Sequence, residues 1–219
     1  MGGRGADSGI PTAVPGGGGG GGRGGKMDAF AGSPDTAQEA LGKKGRPMAT
    51  RDAVMNANPF FDKSYTTAEY NMNCQRCVAA LEARFRGYDV IAQATYDGDK
   101  MPRGNNYASN WENPQIIHIG KSRAASTQAA VEAQMKQWGD GSRAVLSVDW
   151  KGSRSGHVLN IVQRAGKTHY YDGQSGSILD PKALFKAAAP SKTDIMRVDN
   201  LAFSSTVNDA VRTTPKRNK

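Results

Sequence analysis

The chain of 219 residues carries 29 Lys and Arg against 20 Asp and Glu, a formal charge of +9, with 37% hydrophobic residues, two cysteines and three histidines. Two thiols are too few for a disulfide framework or a closed four-ligand zinc site, and no apolar run is long enough for a membrane span or shaped like a signal peptide. The basic balance suits an acidic partner such as nucleic acid, but no nucleic-acid-binding signature accompanies it, so the charge is read as serving solubility and nucleic acid is not an expected partner.

Residues 1–47 are Gly-rich, including the run Gly16 to Gly22, and nearly devoid of large apolar side chains. Such a stretch buries too little surface to offset its ordering entropy, so it reads as a disordered leader. Residues 48–207 show periodic apolar patterning over a length sufficient for one domain with its own core, and 208–219 form a basic, polar tail. With no leader for export in the pattern, the expected compartment is the reducing cytosol of the producing cell.

The first strong element is a helix from Cys74 to Arg86, because Cys74, Cys77, Val78, Leu81 and Phe85 recur at helical spacing and leave the charged residues mostly on other faces. Asn73 is an N-cap residue by type and Gly87 a stop. Cys74 therefore sits in the first turn, where unpaired amides and the dipole favour thiolate over thiol, with Cys77 one turn deeper. A free cysteine is also a common small core residue, and that alternative stands beside the reactive one. The Cys-x-x-Cys spacing suits zinc or a redox disulfide as well. There is no second cysteine pair, however, and His118, His157 and His169 lack ligand spacing, so neither a metal nor a cofactor is expected. Tyr96 to Asp99 is acidic and turn-rich but lacks the remaining calcium-ligand pattern.

A second helix is expected from Thr127 to Trp138, capped by Ser126 and ended by Gly139-Asp140-Gly141. Strands follow at Arg143–Trp150, His157–Gln163 and Lys167–Asp172, the last two joined by a tight turn at Ala165-Gly166. If those are the two turn residues, Arg164 pairs with Lys167, Leu159 falls opposite Asp172 and His157 opposite Gln174. His157 and Asp172 are then diagonal neighbours on one face, the base-and-orienter half of a nucleophilic site. A one-residue bulge would place them on opposite faces, leaving a strand-opening histidine and an ordinary strand-end aspartate. His169 lies at an odd offset from Asp172 and falls outside the site. His118 reads as a half-buried strand residue, and Trp111, Trp138 and Trp150 as core.

Cysteine at a helix start, histidine opening a strand and aspartate ending the next is the chain order of papain-like enzymes. Asn58-Pro59, Asn73-Cys74-Gln75-Arg76-Cys77-Val78, Gly87 to Val90, Trp138 to Arg143, Ser155-Gly156-His157, Asp172 to Gly176 and Arg197 to Asn200 together resemble the papain-fold toxin family of glutamine deamidases over about residues 55 to 200. The resemblance implies an α+β, papain-like fold with a nucleophile-bearing helix packed on an antiparallel sheet. It implies a triad of Cys74, His157 and Asp172, with Cys77 as packing and Gln174 as a site-supporting residue. The substrate would be a protein carrying a target glutamine, whose side-chain amide is hydrolysed to glutamate, and an immunity protein and delivery to a target cell would fit a toxin of this kind. For the oxyanion the Cys74 amide is the natural first donor, with Gln75 as a candidate second; Asn71 and Asn73 are the local substitutes for the glutamine that papain-like peptidases place upstream. The start Met1-Gly2-Gly3-Arg4-Gly5 resembles phage and prophage structural or morphogenesis proteins. The alternative functions are a cysteine peptidase on the same scaffold and a non-catalytic component of a phage particle.

Overall fold

The computed structural model describes residues 39–64, 68–95, 106–121 and 125–215. Most of the Gly-rich leader and the Tyr96 to Asp99 stretch lie outside the described residues. Packed structure begins earlier and ends later than composition suggests. A 3-10 turn at Glu39–Leu41 buries Leu41, and Val211 is fully buried in a strand at Val211–Thr213. Single apolar side chains in otherwise polar stretches seat these ends, a signal too sparse for composition to register.

Helices α1 (Thr50–Met55) and α2 (Ala68–Asn71) lead into α3 (Cys74–Arg86). Strand β1 (Val90–Ala92) follows, then β2 (Ile117–His118), α4 (Thr127–Trp138), β3 (Arg143–Trp150), β4 (Gly156–Arg164), β5 (Lys167–Asp172) and β6 (Ser177–Ile178). The chain continues through α5 (Pro181–Ala187), β7 (Ala188–Arg197), α6 (Val207–Ala210) and β8 (Val211–Thr213). Among the described residues the main sheet is antiparallel, in the order β2-β7-β3-β4-β5-β6, and β1 pairs with β8 in a second, two-stranded sheet.

Strand β4 shows why helices cover both faces of the sheet. Val158 and Val162 pack with Val78, Leu81 and Phe85 of α3, whereas Leu159 and Ile161 pack with Val131 and Met135 of α4. The alternation places one apolar set in each layer. Both helices have the expected ends. Ser126 accepts from the Ala129 amide to cap α4, and Gly87, at φ 101°, closes α3 in the left-handed conformation.

The amphipathic expectation for α3 needs correction, because the helix is buried on every side: Arg76, Glu82, Arg84 and Arg86 are as enclosed as Leu81. The sheet covers one flank, while β1, α6 and the turn at Asn106–Asn110 cover the others. Its charges are buried because each has partners. Glu82 receives two 2.8 Å bonds from Arg143 of β3 and one from Arg86, whose second nitrogen reaches the Val198 carbonyl. Arg84 donates to the Val90 carbonyl at 2.8 Å, and Arg76 to the Asp209 carbonyl. Burial alone would raise the Glu82 carboxyl, but the two guanidinium groups hold it below its ordinary value. The Glu82–Arg143 pair ties α3 to the sheet and fixes where its first turn falls.

Candidate functional site

The β4–β5 hairpin takes the register that its turn dictates. Arg164 pairs with Lys167, and the ladder runs to Asn160 opposite Tyr171. Ala165 and Gly166 both have positive φ, 50° and 73°, the backbone of a two-residue turn whose twist matches the strands. Extending that ladder brings His157 and Asp172 to one face, and His157 Nε2 lies 3.1 Å from Asp172 Oδ1.

Asp172 is fully buried and accepts two further bonds, from the Gln174 amide at 3.0 Å and the Ser175 hydroxyl at 2.5 Å. Burial would raise its carboxyl, but the His157 charge and these donors hold it below the ordinary carboxylate range. His157 answers in the opposite sense. Burial alone would lower the imidazole, yet the Asp172 charge and hydrogen bond, with a smaller contribution from a bond to the Cys74 thiol, push it up to about 10. With Nε2 directed at Asp172, Nδ1 is the ring nitrogen left for the thiol.

Cys74 is the half-buried first residue of α3, and its amide is one that the helix leaves without an acceptor. Gly173 allows the close approach: a Cβ there would lie 3.2 Å from the Cys77 carbonyl and 3.3 Å from Leu81 Cβ, so α3 rests directly on the turn after Asp172. Gly156 serves the other strand end, where a Cβ would meet the Val148 carbonyl at 2.5 Å. Cys77 is buried, its thiol donating to Asn73 Oδ1 at 3.2 Å, and burial pushes it well above the usual thiol value.

Asn73 stands at the N-cap position, but its side chain makes no capping bond. Its backbone, at φ −103° and ψ 23°, is outside the extended region that turns a cap side chain toward the helix amides. It is instead spent on cross-links, donating to Asn58 Oδ1 at 3.3 Å and to the Gln93 carbonyl at 3.0 Å. Asn71 is occupied too, exchanging bonds with the backbone of Asp62 at 2.7 and 3.1 Å. Neither is free to serve an oxyanion. Gln75 is half-buried with Oε1 unpartnered, and buried Gln174 has an unpartnered Nε2 among the described residues.

Three residues at the site escape a sequence reading. Asn58 donates to Asn73 Oδ1 at 3.3 Å and to the Gln174 carbonyl at 3.1 Å, clamping the start of α3 to the turn beyond β5. Ser175 donates its hydroxyl to Asp172 from three positions on, beside the Gln174 amide bond that an aspartate opening a turn makes to its own backbone two positions on. Trp150, expected as core, is half-buried, and its ring lies alongside His157 with centroids 6.2 Å apart. Of the remaining residues, Trp111 is core, stacked on Phe203, and Trp138 lies under Arg197. His169 stacks on Tyr171 away from Asp172, as the offset requires. His118 is exposed rather than half-buried, because the edge strand β2 leaves it free to meet Asp194 at 2.7 Å. Among the described residues no group of three or more His, Cys, Asp or Glu converges on a point, and no helix is long and apolar enough to cross a membrane.

Residues 72–177 match a protein-family model described as papain fold toxin 1, glutamine deamidase. The match leaves the leader outside it, so the likeness to phage proteins rests on the first five residues alone. No curated protein and no solved structure matches the chain. The α+β layers, with α3 against an antiparallel sheet, agree with the papain-like fold, and the matched segment runs from just before Cys74 to just past Asp172. Residues 72–177, just under half of the chain, belong to the papain fold toxin 1, glutamine deamidase family, a family of amide hydrolases.

Proposed function

We propose that the chain is a protein-glutamine deamidase whose triad is Cys74, His157 and Asp172. The observation that carries this reading is the junction of three segments distant in sequence: a thiol at a helix start, near enough to an imidazole to contribute to its raised pKa, and a buried carboxylate 3.1 Å from the Nε2 of that ring. Asp172 orients the ring and stabilises its cation, so His157 can take the thiol proton on Nδ1 as the sulfur attacks.

The thiolate attacks the side-chain carbonyl carbon of a substrate glutamine. The Cys74 amide, at the positive end of α3, stabilises the resulting oxyanion. As the C–N bond breaks, His157 gives its proton to the departing nitrogen and ammonia leaves, with a thioester on Cys74. Neutral His157 then takes a proton from water, whose oxygen attacks the thioester. Glutamate is released and the proton returns to the Cys74–His157 pair. Glutamine and water become glutamate and ammonia, adding one negative charge to the substrate protein and removing an amide donor.

Intact-mass and peptide analysis of a protein mixture treated with the wild type and with Cys74→Ser tests this. The expected result is Cys74-dependent gain of about 1 Da at specific glutamines, without fragments. Fragmentation of the substrates would indicate a peptidase, and no change with a folded protein would remove catalysis from the reading.

A further inference from the structure

We propose that Trp150 is a positioning residue for the hydrolase, a half-buried indole lying along the His157 ring that sheds water from it and keeps it turned toward Asp172. The proposal rests on the triad reading above and adds a residue to it. The two rings are nearly parallel, 15° apart with centroids 6.2 Å apart, so the indole runs beside the imidazole as an offset stack. At that separation an ordinary cation–π attraction is at the edge of its range, which leaves shielding and restraint as the functions the geometry supports.

The backbone holds the indole in place independently of the site. His157 pairs with Val148 across β3 and β4, which makes Trp150, two residues on, its diagonal neighbour. The β3–β7 ladder shifts register between Val148, opposite Thr193, and Trp150, opposite Ala188; the extra residues lie on β7, so Trp150 keeps the face of β3 that Val148 shares with His157. Beyond the shift, the Trp150 amide donates to the Ser155 carbonyl at 3.0 Å, the Lys151 amide donates to Ala187 at 2.9 Å, and Trp150 pairs with Ala188. The segment is therefore tied both to the loop that delivers His157 and to β7.

A shield is needed at this point. His157 is the second residue of β4 and follows the loop of residues 151–155, which is largely exposed, yet it is only 6% accessible. The groups facing its ring are Asp172 from β5 and Cys74 from α3. The nearest charge on β3 is Asp149, which is engaged by Lys192 at 3.3 Å. Water admitted beside the ring would screen the Asp172 charge and compete for the 3.1 Å bond.

The test measures kcat, KM and the NMR titration of the His157 ring in Trp150→Ala, Trp150→Phe and Trp150→Leu. The alanine variant is expected to lose roughly ten-fold or more in kcat with KM within about two-fold, and the phenylalanine variant to stay within about three-fold of wild type. In the alanine variant the His157 titration should move down from about 10 toward 6.5, because screening of Asp172 outweighs relief of burial. Trp150→Leu keeps apolar bulk without a flat ring and carries the test if the alanine variant does not fold. It is expected to fall between the other two. Wild-type kcat and titration in a folded Trp150→Ala or Trp150→Leu would overturn the proposal, as would equal losses in all three variants with the His157 titration unmoved. Failure of the triad is read separately, from retained activity in His157→Ala or Cys74→Ser.

Discussion

Replacing Asp172 with asparagine separates the two things that the carboxylate gives His157, an acceptor and a charge. The acceptor survives, because an amide oxygen can take the Nε2–H bond that now spans 3.1 Å. The charge does not. At an effective dielectric of about 20, unit charges 3.1 Å apart attract by about 5 kcal/mol. The rise of His157 from 6.5 to about 10 corresponds to a similar amount, about 5 kcal/mol in favour of the imidazolium. Burial, which opposes the cation, remains in the variant, so His157 should fall below 6.5 once the charge is gone. The alkaline limb of kcat/KM, which reports the thiol–imidazole pair as a unit, should move down by more than about three pH units. Ammonia release from a glutamine-bearing protein, followed from acid to alkaline pH in wild type, Asp172→Asn and Asp172→Ala, checks this. The asparagine variant should keep kcat at its own optimum within about ten-fold, whereas alanine, with neither acceptor nor charge, should lose about 10²-fold or more. An unmoved alkaline limb in a folded Asp172→Asn would refute the argument that this carboxylate holds the proton on His157.

Glu82→Gln should lower stability by about 3–5 kcal/mol, since two guanidinium groups would remain buried around a neutral amide; a urea midpoint equal to wild type would contradict this. Gly156→Ala forces a Cβ to within 2.5 Å of the Val148 carbonyl and should cost about 1–3 kcal/mol while displacing His157, seen as a lower melting temperature together with reduced kcat. Ala165→Asn should stabilise by about 0.5–1 kcal/mol in denaturant unfolding, because asparagine tolerates the positive φ of 50° better than alanine, and no gain would show that the turn is unstrained.

The elements that carry the reactive groups were readable because each has a local rule. The period and the glycine stop delimit α3, Ser126 caps α4, and the two turn residues Ala165-Gly166 set the register that brings His157 to Asp172. What escaped has no local rule. Burial of Glu82 depends on Arg143, 61 positions away, which turns an apparently solvent-facing helix flank into core. Asn58 enters the sequence reading only as part of the family resemblance, and its role shows once α3 and the Gln174 turn both arrive beside it. Trp150 has the composition of core, and only the β3–β4 register, with Val148 opposite His157, makes it a neighbour of the imidazole.

Enclosure of α3 on all sides has a consequence for how Cys74, the proposed nucleophile, loses its geometry. A helix on the surface can fray or tilt in a local opening while the rest of the fold persists. The amides of α3, pinned by Glu82, Arg84 and Arg86 to both flanking layers, should exchange with solvent only through the opening that unfolds the whole domain. Hydrogen exchange in Val78 to Phe85 would then report global stability, and loss of the thiol's alignment would coincide with loss of the fold instead of preceding it.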